Sequence, residues 1–122
     1  GSVGAVGKDG FHAEYSSPGA ALLVSAPAGD DKDVGHLLTA GLGVDQCQDS
    51  GIGTSFACPV VTGVVALMLE ANPDLSWRDV QGILAQTSTA VMTDPLDDTD
   101  MTNGAGLWHS NWYGFGIVNG FI

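Results

Sequence analysis

The sequence predicts an α/β fold, and three features carry that expectation. Val3 to Val6 and Ala21 to Ser25 are short apolar runs bounded by Gly, Pro and Asp, the pattern of strands buried in a sheet. Phe56 to Leu69 is apolar on nearly every side, as in a helix enclosed by protein. Beyond it, Trp77, Val80, Ile83 and Leu84 recur at helical spacing and define a second helix with one inward stripe.

Taken in order, a first strand spans Ser2 to Val6, and Gly7-Lys8-Asp9-Gly10 turns the chain toward the next. Gly29 to Gly53 is rich in Gly and Asp around the Leu37-Leu38 pair, which predicts a long loop containing a short strand pairing. Pro59 cannot donate to the preceding turn, so the apolar helix, from Phe56 to Glu70, must begin only a few residues before it. Phe56 to Leu69 is also too short for a bilayer, which takes about 20 residues, and Thr62 and Gly63 argue further for a core helix. The helix expects covering layers on several faces, and this chain can offer only some of them. After the Asn72-Pro73-Asp74 turn, Ser76 with Asp79 three residues on forms a capping-box pattern. Glu70, Arg78 and Asp79 fall on solvated faces. The tail gathers Trp108, Trp112, Tyr113 and Phe115 among glycines and reads as the closure of a core.

The chain carries 3 Lys and Arg against 14 Asp and Glu, a formal net charge of −11. Nucleic acid and anionic membrane surfaces would repel it, which excludes both as partners. Its acids cluster at Asp30-Asp31-Lys32-Asp33 and from Asp94 to Asp100, both expected as solvated loops. The segment DPLDDTD could turn several oxygens toward calcium, although it lacks the spacing and the glycine of an EF-hand. Cys47 and Cys58 allow one internal pair, and Cys58 reads as a small buried packing residue. His12, His36 and His109 read as surface or locally bonded imidazoles.

Gly53-Thr54-Ser55 stands directly before the apolar helix. The unpaired N–H groups and the dipole at a helix start stabilise an oxyanion, and glycines admit a close substrate backbone. Two uses fit: a hydroxyl that caps the helix, or a serine presented as a nucleophile.

The segment GTSFACPVVTGVVALMLEANPDLSWRDVQGILAQTS resembles the serine-bearing part of subtilisin-like proteases, most closely the kexin and furin branch. SVGAVGKDGFHAEYSSPGAALLVSAPAG is similar to the strand, loop and strand before that serine, and TNGAG with His109-Ser110 and Tyr113-Gly114-Phe115-Gly116 to the end of the domain. The resemblance implies a three-layer fold with a mostly parallel sheet and a buried central helix starting at the catalytic serine. It makes Ser55 the nucleophile of a serine endopeptidase and its N–H an oxyanion donor, with Thr54 in support. The family's triad Asp and His and its oxyanion Asn belong to motifs upstream of anything present here, and His109 fits a structural position near the domain end. Residues 1–122 are therefore expected to be the C-terminal portion of the domain, inactive alone and partnered by the missing N-terminal part. The resemblance further implies a polypeptide substrate, cleavage after basic residues, and an extracellular or secretory-pathway location. No cofactor is implied in this segment. Calcium belongs to the intact enzyme, and Ser17 stands near where one acidic ligand of the family would fall. Cys47 matches a cysteine whose partner lies far upstream. The alternative function is a catalytically inert structural or interaction module.

Overall fold

In the computed structural model, which describes residues 1–30 and 36–121, the chain forms six strands and two helices. They run β1 (Ser2–Val6), β2 (Leu22–Pro27), β3 (Leu37–Ala40), β4 (Cys47–Gly51), α1 (Thr54–Ala71), α2 (Trp77–Thr87), β5 (Met101–Thr102) and β6 (Trp108–His109). β1 and β2 pair in parallel, with Ala5 opposite Ala26 and Val6 opposite Pro27. The other edge of β2 receives the tail: Ser25 N–H donates to the Gly116 carbonyl at 2.9 Å and Val118 N–H to the Ser25 carbonyl at 2.8 Å. Ile117 then exchanges backbone bonds with Thr89, which follows α2. β3 and β4 form the antiparallel hairpin that leads into α1.

Two cores result. Ala5, Ala13, Val24, Ala26, Ala28, Ala57, Val61 and Leu84 pack between the parallel pair and the helices. Alanines on both sides let α1 approach β1 and β2 closely. Val6, Trp108 and Tyr113 form the second, with Trp112 and Ile117 against them, so the aromatic tail does close a core.

Several expectations change. α1 starts two residues before Phe56 and reaches 18 residues, long and apolar enough by composition to cross a membrane. It instead seats Ala57 and Val61 on the sheet, with Phe56, Val64, Val65 and Met68 partly buried beside them. Leu67 is 63% exposed, because residues 1–30 and 36–121 cover one side of the helix and no more. Cys58 is exposed and free rather than buried, since it lies off the stripe that faces the sheet; Cys47 is also free. Trp77 leaves the predicted stripe of α2. It is 66% exposed with the Arg78 guanidinium 4.9 Å from its ring centroid, and the stripe meets the core only from Val80 onward.

The acidic loops change as well. Asp30 and Asp94 are buried, and Glu14 N–H donates to Asp30 Oδ2 at 3.4 Å. Asp31, Lys32 and Asp33 of the first cluster lie outside the described residues. The capping box of α2 forms as the spacing predicts, Asp79 N–H donating to Ser76 Oγ and Ser76 N–H to Asp79 Oδ2.

Candidate active site

The turn between β4 and α1 is shaped by two glycines. A side chain at Gly51 would meet the Phe56 ring at 2.9 Å, so the turn folds directly onto that ring. Gly53 has φ 121°, a conformation that side-chain-bearing residues rarely adopt, and it occupies the N-cap of α1. No side chain caps this helix. The two uses open to the Gly-Thr-Ser turn are thereby separated: the cap is a glycine, and the hydroxyls of Thr54 and Ser55, both exposed, are not engaged in capping.

Phe56 N–H and Ala57 N–H both donate to the Gly53 carbonyl, at 2.9 and 3.3 Å. The N–H groups of Thr54 and Ser55 have no hydrogen-bond partner among the described residues and stand at the positive end of the helix dipole. Pro59 sits four residues beyond Ser55 inside the helix, so it offers no N–H to the Ser55 carbonyl. Ser55 thus combines an exposed Oγ, a free N–H beside it and a glycine in front of it. That arrangement suits attack on a carbonyl and stabilisation of the resulting oxyanion.

Among the described hydrogen bonds, none joins a histidine to Ser55. His12 stacks on Trp112 with ring centroids 4.1 Å apart, and its Nε2 lies 3.7 Å from Asp94 Oδ2. The His109 ring packs edge-on against Phe115, with its Nε2 3.3 Å from the Leu22 carbonyl oxygen. His36 is exposed beside Leu37. The first two imidazoles are engaged locally, as the sequence suggests.

Sequence reasoning missed the polar network around Asp94. Tyr113 Oη donates to Asp94 Oδ2 at 2.5 Å and accepts from His12 N–H at 2.9 Å, tying together the turn after β1, the loop after α2 and the tail. Burial, reinforced by the Asp94 carboxylate, pushes the Tyr113 hydroxyl well above the ordinary tyrosine range. A usable signal exists: a tyrosine in a core-closing aromatic cluster must find a partner for its hydroxyl, and the nearest acids in sequence are those of Asp94 to Asp100.

Among the described residues the donor set does not fit the calcium that the resemblance implies for the intact enzyme. No three His, Cys, Asp or Glu side chains among the described residues converge to hold a metal. Ser17 is exposed and brings only a hydroxyl.

Comparison with known proteins bears on the whole arrangement. Residues 2–116 match the family model described as the Subtilase family. Proprotein convertase subtilisin/kexin type 7 of Mus musculus is 35% identical over 121 residues, covering 97% of this chain and 16% of its own length. PC3-like endoprotease variant B of Hydra vulgaris is 36% identical over 121 residues, with 97% and 17% covered. The chain therefore spans about a sixth of the length of these curated relatives. A solved serine protease of Aeromonas sobria superposes with a TM-score of 0.84 at 27% identity, over 97% of this chain and 27% of that one.

Proposed function

Because this chain belongs to the subtilase family, we propose that it carries the nucleophile of a serine endopeptidase, that the nucleophile is Ser55, and that the enzyme performs kexin-like processing of polypeptides. The observation that carries the proposal is the glycine N-cap: an exposed serine stands second in α1 with its N–H free and its hydroxyl not used to cap the helix.

In this mechanism Ser55 Oγ bonds to the scissile carbonyl carbon while its proton passes to a histidine base. The oxyanion of the tetrahedral intermediate accepts a hydrogen bond from Ser55 N–H, with the Thr54 hydroxyl in support. Collapse breaks the C–N bond, the imidazolium returns its proton to the leaving amine, and water then cleaves the Ser55 ester by the same route. His12 and His109 are held elsewhere and no described hydrogen bond joins His36 to Ser55, so we assign the base to residues outside this segment. The isolated segment is accordingly inert, slower by about 10⁴-fold or more than the complete site. The same remaining part of the domain covers the open side of α1, where Val60 and Leu67 are exposed. The same relationship supports a location in the secretory pathway or outside the cell.

A fluorophosphonate probe tests the assignment. The full-length protein should be labelled at Ser55, and Ser55→Ala should abolish labelling. Absence of labelling in folded, full-length protein would leave the inert interaction module as the better reading.

A further inference from the structure

Two side chains at the start of α1 fold back over two glycines. The Ser55 hydroxyl leans over Gly53: a Cβ on that glycine would stand 3.3 Å from Ser55 Oγ. The Phe56 ring lies over Gly51, where a Cβ would stand 2.9 Å from both Cδ1 and Cε1 of the ring. Phe56 is itself half-buried against the core that includes Val24, Ala26 and Ala57. Leu37, which packs on the same core, is the residue opposite Gly51 in the β3–β4 hairpin, and its carbonyl oxygen also borders the space over Gly51, at 3.2 Å from the same Cβ position. The ring is therefore wedged between the end of β4 and the core.

The polar hold on this turn is slight. No side chain caps α1, and the backbone bonds of its first turn, from Phe56 N–H at 2.9 Å and Ala57 N–H at 3.3 Å, converge on the one Gly53 carbonyl. A helix end with free N–H groups frays unless something else fixes it. Gly53, with no Cβ and φ 121°, adds freedom rather than constraint. Burial of the Phe56 ring supplies the constraint, since the ring cannot swing without opening a gap against the core or pressing on Gly51.

We propose that Phe56 is a positioning residue of the reaction: its wedged ring sets the rotation of the first turn of α1, and with it the direction of the Ser55 N–H and Oγ. It acts through Ser55, its covalent neighbour, and the proposal rests on Ser55 being the nucleophile. A misplaced nucleophile forms its bond more slowly and leaves binding of the reagent almost unchanged.

Full-length protein is treated with a fluorophosphonate over a range of concentrations, which separates the saturating rate constant from the half-saturating concentration. In the reaction Ser55 Oγ bonds to phosphorus, fluoride leaves and the serine proton passes to the base. Phe56→Ala should lower the saturating rate constant by about tenfold to a hundredfold, the cost of misplacing a reacting atom by about 1 Å, with the half-saturating concentration within about twofold of wild type. Phe56→Leu, which keeps an apolar group over Gly51, should recover most of the rate. Gly51→Ala should also lower it by pressing on the ring, and should add nothing further in the Phe56→Ala background. Ser76→Ala, which weakens the cap of α2, controls for stability and should leave the rate constant unchanged. A Phe56→Ala rate equal to wild type, a loss confined to the half-saturating concentration, or independent effects of Gly51→Ala and Phe56→Ala overturns the positioning role, while labelling of the wild type upholds Ser55. If Phe56→Ala does not fold, Gly51→Ala and Phe56→Leu decide, and an unchanged Gly51→Ala rate overturns the role. No labelling of folded wild type overturns both.

Discussion

Tyr113→Phe removes a single oxygen from the second core and asks how much the Asp94 network contributes to stability. The Tyr113 side chain is fully buried, and Phe retains its ring and therefore its packing against Val6 and Trp108. What is lost is one donor to a carboxylate, Asp94 Oδ2 at 2.5 Å, and one acceptor for a backbone amide, His12 N–H at 2.9 Å. A hydrogen bond to a charged group contributes about 1.5–3 kcal/mol and a neutral one about 0.5–1.5, so the substitution should cost about 2–4 kcal/mol. Little compensation is at hand, because the other side-chain group near Asp94 Oδ2 is His12 Nε2, at 3.7 Å. Urea unfolding followed by tryptophan fluorescence measures this directly, Trp108 and Trp112 being part of the same cluster. The midpoint should fall with an unchanged slope. Asp94→Asn should then cost less when combined with Tyr113→Phe than in the wild type, by about 1–2 kcal/mol of coupling. A loss below about 0.5 kcal/mol, or strict additivity with Asp94→Asn, would refute the claim that the Tyr113–Asp94 hydrogen bond contributes to stability.

Two glycine substitutions should act in opposite directions. At Gly116, with φ 119°, a Cβ would collide with the Thr89 carbonyl oxygen, so Gly116→Ala should cost more than about 3 kcal/mol or prevent folding. Gly63 lies mid-helix with open space around it, and Gly63→Ala should stabilise by about 0.5–1 kcal/mol; denaturant midpoints of the two variants decide both. Ser76→Ala, which removes the cap of α2, should cost about 1 kcal/mol at neutral pH. The Ser76 hydroxyl and backbone N–H hold the Asp79 carboxyl below its ordinary value of 3.8. A depressed carboxylate stabilises above its unfolded pKa and loses that contribution as pH falls through the folded one. The gap between wild type and Ser76→Ala should therefore narrow below about pH 3.8, and a gap that widens on acidification would refute the capping box.

Much of this fold is legible in sequence where the cause is local. The strand runs, the turn at Gly7 to Gly10 and the Ser76–Asp79 box depend on residues a few positions apart and form where their pattern places them. Burial is less legible, because it depends on what covers an element. Trp77 shares the helical period of Val80 and Leu84, yet the stripe reaches the core only from Val80. Asp94 reads as solvated by composition and becomes interior because a tyrosine nineteen positions away points its hydroxyl at it. Such pairings leave no periodic trace.

The candidate site divides along the same line. Gly53-Thr54-Ser55 marks a helix start in sequence, but whether its hydroxyls cap that helix is a question of backbone dihedral angles. With Gly53 at φ 121° as the cap residue, the turn commits a position to glycine where a serine, threonine or aspartate would bond the helix N–H groups. A turn serving stability alone gains by the opposite choice, since a side-chain cap stabilises by about 1 kcal/mol. A turn that must leave N–H groups and a hydroxyl open to a substrate gains nothing from such a cap and would lose its donors to it. The conformation at Gly53 is therefore a stronger argument for Ser55 than the sequence motif itself.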